Sequence, residues 1–274
     1  MLDFTQSQKN KKIFIKYIKS NFNLKINELK GKYYHSFRVA KICEKLCEKL
    51  KLDKDLGCTI GILHDFYRFQ QFTEFCSFCD YKTYDHGDKA CELLFQKKFI
   101  KNFCIKNSQY AIIFFTVKNH NKHKINTAEI KSFFEGKEIQ NLGEVVDLKK
   151  SENKYSKEQI INYCKLIRDA DKIDIIKSLK NFKIFKSKNL KNGVTNSILN
   201  ALNTKKLPKI KFCKTKLDRL LIYLGFIFDI NFKESFLLID FKKCFMKLQK
   251  KYNKFLIPKD REVLQVVVSN IIKM

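Results

Sequence analysis

Five histidines are present, at positions 35, 64, 86, 120 and 123. His35 stands in YYHSFRVAK, and His64 is followed directly by Asp65 in GILHDFYRF. His86 lies in YDHGDKACELLF, His120 in VKNHNKH, and IRDADKIDI adds Asp169, Asp171 and Asp174. A histidine, an adjacent His-Asp pair and a distant acid offer two imidazoles and two carboxylates. That mixed nitrogen and oxygen set suits Mn, Fe, Co, Ni or Zn, whereas an all-oxygen set would suit Mg or Ca. Neighbouring residues on a helix point about 100° apart, so His64 and Asp65 can both reach an ion beside the helix end. Asp65 has two oxygens and can bridge to a second ion held by His86 and His120. Two ions about 3.5–4 Å apart activate a water and clamp phosphoryl oxygens.

Helices must position these residues. Only 8 Gly and 2 Pro punctuate the 274-residue chain, too few turn formers for a sandwich or barrel. Residues 8–22 read as a basic amphipathic helix with Ile13, Ile15, Tyr17 and Ile18 on or near one face. Residues 31–51 form a second, with Val39, Ile42, Cys43, Leu46 and Leu50 spaced three and four apart. Asp53 caps a third running to Tyr67, and a loop rich in Phe, Cys and Tyr spans 70–84. Further helices are expected at 86–98, 107–119, 127–135, 157–184, 195–203, 214–228, 232–252 and 259–272. Gly136 to Tyr155 is the least helical stretch, followed by Asn189 to Gly193. Apolar faces on both sides of these breaks need the same core. The expectation is therefore one all-α domain over 1–274, with a core at 28–185 and a helical extension at 195–274.

Composition narrows the class further. The hydrophobic fraction is 45% and the aromatic fraction 14%, which excludes disorder as the ground state. Lys and Arg number 56 against 28 Asp and Glu, a formal net charge of +28 that attracts polyanions. The lysines are spread along the chain without a compact patch, so nucleic acid ranks second to a small phosphate-bearing substrate as a partner. The N-terminal MLDFTQSQKNKK has no apolar core of a signal peptide, and ten Cys lack a secreted spacing. Reduced thiols in a cytoplasm fit best. The longest apolar runs, such as Leu220 to Phe228, are about nine residues, short of the ~20 that span a bilayer.

The ordered set H…HD…H…H…D, with separations of 29, 22, 34 and 51 residues, resembles the HD-domain metal-dependent phosphohydrolase superfamily. HSFRVAKI, GILHDFYRF, DHGDKACELLF and RDADKIDI carry the likeness, and Asp218 to Phe236 resembles the C-terminal part of an uncharacterised bacterial subgroup. It extends over roughly residues 28–250. The resemblance implies an HD-domain helical bundle in which His35, His64, Asp65 and Asp171 ligate a first divalent transition ion. Asp171 is preferred to Asp169 because the family's last ligand follows an alanine, here Ala170. His86 and His120 match histidines that hold a second ion or bind substrate phosphate. His120-Asn121 departs from the His-His pair of some two-metal members, so one or two ions are both compatible.

Arginine is rare, at 38, 68, 168, 219 and 261, and three of these lie one helical turn from a proposed ligand. A guanidinium fork binds phosphate in bidentate fashion as Lys does not. Arg38 and Arg68 therefore either hold substrate phosphate or orient a carboxylate, while Arg168 reads as structural. Cys76 and Cys79 form a C-x-x-C without a second pair, better suited to packing a loop with Phe72, Phe75 and Phe78 than to binding zinc. His123 has no place in the pattern. The resulting expectation is hydrolysis of a phosphomonoester or phosphodiester, with a nucleotide foremost, by metal-activated water. Asp65, His86, His120, Arg38 and Arg68 would be catalytic. The alternative is a non-catalytic, metal-containing module that binds RNA, nucleotide or another polyanion.

Overall fold

The computed structural model describes residues 4–137, 153–179 and 192–273. These are helices and short 3₁₀ turns with no strand among the described residues, the all-α architecture expected. The chain clusters into two compact units, 1–170 and 171–274. No helix among the described residues is long and apolar enough to cross a membrane.

The first unit opens with α1 (Gln6–Asn21), started by a capping box in which Thr5 and Gln8 satisfy each other's backbone amides. Phe14 on its buried face meets Phe37 and Phe69 edge-on at 5.8 and 5.9 Å between ring centres. Helix α2 (Asn27–Leu50) buries His35, Val39, Ile42, Cys43 and Leu46, and ends in a left-handed Lys51 at φ 55°. Asp53 caps α3 (Lys54–Leu63) as the sequence suggests, its side chain accepting from the Leu56 amide at 3.1 Å. Gly61 lets α3 lie against α2: a methyl there would sit 2.5 Å from the Ala40 Cα.

The third helix stops earlier than its apolar pattern suggests. After Leu63 the Phe66 amide bonds to Leu63 and the Arg68 amide to Asp65, tightening the chain into a turn before α4 (Arg68–Phe75). Helix α4 also corrects the expected loop at 70–84. Its Gln71 is fully buried and donates to Thr83 Oγ1 at 2.7 Å, so the helix anchors the segment that follows. Helix α5 (His86–Cys91) runs into a π-helical turn at Glu92–Gln96, and α6 (Tyr110–Asn119) is buried on all sides except Lys118. Helices α7 (Thr127–Phe134) and α8 (Lys157–Ser178) follow. The unit division falls inside the unbroken α8, between Ala170 and Asp171.

The second unit comprises the end of α8 with α9 (Asn196–Asn203), α10 (Lys216–Leu224), α11 (Lys233–Phe236), α12 (Phe241–Asn253) and α13 (Pro258–Ile272). The buried Asp218 carboxylate accepts from the amides of Thr195, Lys214 and Thr215 and from the Thr195 hydroxyl, tying the start of α9 to α10. The single helix expected at 232–252 is two, because Asp240 caps a fresh start by accepting from the Lys243 amide at 2.8 Å. The breaks anticipated at 136–155 and 189–193 lie largely outside the described residues, as do the last residues of the helix expected to reach 184.

Backbone atoms face the Gly61 position and cannot swing aside. Gly61→Ala should therefore destabilise the first unit by about 2–3 kcal/mol through overpacking, lowering Tm by about 5–10 °C in a thermal melt.

Candidate metal centre

Four elements bring polar groups to one buried point. Helix α2 supplies Lys32 and His35, the turn after α3 supplies His64 and Asp65, α5 opens with His86, and α6 is closed by His120. The four histidines are 0–6% exposed and Asp65 is 2% exposed.

The imidazoles face each other in pairs. His35 Nε2 lies 3.3 Å from His64 Nε2, and His86 Nε2 lies 2.9 Å from His120 Nε2. Asp65 sits between the pairs. Its Oδ2 is 3.4 and 3.5 Å from Nε2 of His35 and His64, while its Oδ1 is 3.3 and 3.5 Å from Nε2 of His86 and His120. Two cations complete the surround: Lys32 Nζ is 2.5 Å from Oδ2, and Arg68 Nε is 3.5 Å from Oδ1. Burial alone would raise the Asp65 carboxyl, but the Lys32 ammonium and the imidazoles outweigh it and hold it well below the usual carboxylate range.

The outer ring nitrogens fix the tautomers. His64 Nδ1 contacts the Gly61 carbonyl at 2.8 Å and His120 Nδ1 the Val117 carbonyl at 2.7 Å. A carbonyl only accepts, so each Nδ1 donates there and Nε2 is the ring nitrogen turned to the centre. His86 Nδ1 donates to Asp80 Oδ2 at 2.7 Å, with the same result. Nε2 of His86 and Nε2 of His120, 2.9 Å apart beside a carboxylate oxygen, are the nitrogen and oxygen donors that suit a divalent transition ion.

Within the first unit, His64, Asp65 and His120 place one ligand atom each within 4.8 Å of the others. Asp171 is half-buried and carried by the continuous helix α8, at the start of the second unit. Asp169 and Asp174 are buried. His86 lies outside that triad and reaches the centre through His120 and Asp65. His123 and Arg38 are exposed, and Arg168 donates to the carbonyls of Asn119, Lys122 and His123, closing the end of α6.

Two residues at the centre were not singled out by sequence reasoning. Lys32 lies one helical turn before His35, so i,i+3 spacing carried a signal, hidden among many lysines. Asp80 orients His86, while Asp85 caps α5 by accepting from the amides of Gly87 and Asp88 at 3.0 and 3.1 Å. The His86 hydrogen bond and the Arg68 guanidinium overcome burial and hold Asp80 below the usual carboxylate range. Asn121 donates to Asp85 Oδ1 at 2.9 Å, and its buried Oδ1 has no hydrogen-bond partner. Arg68 Nη1 donates to Gln71, the Phe78 carbonyl and Asp80 at 2.7–2.8 Å, while its buried Nε has no hydrogen-bond acceptor. Cys76 is exposed and Cys79 half-buried, both as free thiols, and the Phe72 and Phe78 rings near them in sequence meet tilted at 4.9 Å.

Removing the ammonium from a buried pair should be costly. Lys32→Met is expected to destabilise chelator-treated protein by about 3 kcal/mol. The double variant with Asp65→Asn should lose less than the two single losses combined, read from denaturant unfolding.

A family model for the HD domain matches residues 33–176, more than half of the chain and the span holding His35, His64, Asp65, Asp80, His86, His120 and Asp171. Neither the curated proteins nor the solved structures compared with the chain include a match. The histidine and aspartate clusters carry the donor chemistry of that family, and the chain belongs to the HD-domain superfamily of metal-dependent phosphohydrolases.

Proposed function

We propose that this protein hydrolyses a phosphomonoester or phosphodiester, with a nucleotide as the favoured substrate class. His35, His64, Asp65 and Asp171 would hold one divalent transition ion, and His86 and His120 a second on the other oxygen of Asp65. One observation carries this reading: both oxygens of a buried, ionised carboxylate face a pair of imidazole Nε2 atoms. When bound, such ions supply activation of water near neutral pH and neutralisation of charge on phosphoryl oxygens.

The chain's own groups prepare the site. Carbonyls of Gly61 and Val117 and the Asp80 carboxylate hold three imidazoles in the tautomer that ligation requires. Lys32 keeps Asp65 ionised, and Lys32 and Arg68 add positive charge where a phosphate would approach. Arg68 has one donor, Nε, still to be satisfied, which favours a phosphate contact for it beyond its hold on Asp80. Arg38, exposed one turn after His35, is the weaker candidate for that contact. A protein of net charge +28 draws anionic substrates in without choosing among them.

Elemental analysis should find at least one transition ion per chain. With Mn²⁺ added, hydrolysis of aryl phosphate, bis-aryl phosphate or nucleotides should fall at least about a hundredfold in His64→Ala and Asp65→Ala. Metal-loaded wild type that leaves the whole panel untouched would sink the proposal. Asp80→Ala should weaken metal binding about 10–100-fold by freeing His86. Asp85→Ala should mainly cost about 1 kcal/mol of stability as a lost cap.

A further inference from the structure

The positive charge is unevenly divided. Residues 171–274 hold 24 Lys and Arg against 8 Asp and Glu, while residues 1–170 hold 32 against 20. Charge per residue is thus about twice as high in the second unit.

Helix α12 concentrates it. Phe241, Phe245, Leu248 and Tyr252 are buried along one side. At 100° per residue, Lys243, Lys247, Lys250 and Lys254 fall within about 60° of one another on the opposite side. All four are exposed, and residues 241–254 contain six lysines and no acid. Among the described residues none of these four ammonium groups is in an ion pair. In the first unit, by contrast, Lys89, Lys118, Lys122, Lys131 and Lys137 all pair with Glu or Asp. Like charges three and four apart each cost an isolated helix about 0.2–0.5 kcal/mol, so this row opposes the helix that carries it. Just past its end, Phe255 is 52% exposed and lies 5.1 Å, ring centre to ammonium, from Lys254.

We propose that the Lys243, Lys247, Lys250 and Lys254 row, with Phe255 at its end, binds the phosphate backbone of single-stranded nucleic acid. The row spans about 16 Å, matching roughly five phosphates of a stacked strand. An exposed aromatic face beside a basic track is the arrangement on which an unpaired base stacks. A lipid surface fits less well, because the apolar face an amphipathic helix would insert is already buried against the second unit's core.

The test uses the full chain, a fluorescein-labelled 20-nucleotide oligouridine and fluorescence anisotropy at several NaCl concentrations. Changing the four lysines to Gln should lower affinity more than tenfold at 100 mM NaCl. It should also flatten the log K against log salt slope by about 3, near 0.7 per lost contact. The control variant, with exposed Lys25, Lys30, Lys45 and Lys49 changed to Gln, makes the same charge change in the first unit and should keep the slope. Phe255→Ala should weaken binding about tenfold with the slope intact. Circular dichroism verifies that each variant is folded. An unchanged slope in the α12 variant, an equal loss in the control, or binding to phosphatidylserine vesicles without binding to the oligonucleotide would overturn the proposal. Phosphate-ester hydrolysis should be the same in the α12 variant as in wild type, so this outcome and that of the metal-centre tests are read separately.

Discussion

A carboxylate 2% exposed to solvent is the constraint around which the first unit is arranged. Moving such an ion out of water costs several kcal/mol even after relaxation, unless its surroundings restore the lost solvation. Asp65 receives Lys32 and two imidazoles on one oxygen, and Arg68 and two imidazoles on the other. No single helix could present all of these groups at one point. Helices α2, α5 and α6 and the turn after α3 must each deliver a side chain, and Gly61 permits the close approach of α3 to α2 that brings His64 towards His35.

The turn at 64–67 matters as much as the helices. Bonds from the Phe66 amide to Leu63 and from the Arg68 amide to Asp65 redirect the chain into α4. Arg68 then holds Asp80, Asp80 holds His86, and Gln71 holds Thr83, so a segment with little helix of its own is fixed by side-chain hydrogen bonds. The centre therefore depends on two layers. The inner layer presents the Nε2 atoms and the Asp65 oxygens, and the outer layer of carbonyls and Asp80 holds the rings with Nε2 turned inward. Loss of the outer layer would leave every inner residue present and misaligned.

The two units treat their lysines differently. The first pairs many of them with acids, and the second leaves a row on α12 whose ammonium groups are in no ion pair among the described residues. The +28 total hides this division, since composition records how much charge there is and not whether it is neutralised within the fold.

Helical periodicity, sparse Gly and Pro, and the cap residue Asp53 made the all-α class and most helices legible. The ordered histidines and the His64-Asp65 pair named the family, because each sits in a distinctive local sequence. The early end of α3, the start of α4 at Arg68 and the break capped by Asp240 were not legible, since apolar periodicity continues across them and side-chain hydrogen bonds decide the outcome. Lys32 and Asp80 escaped notice for a related reason. A lysine among many and an acid in a Cys- and Phe-rich segment acquire meaning only through what stands opposite them in space. Sequence alone thus determined which donor atoms exist and in what order. Tertiary packing decided which two oxygens of one buried carboxylate face which nitrogens, because burial makes charge interactions strong only over the few ångströms that folding sets.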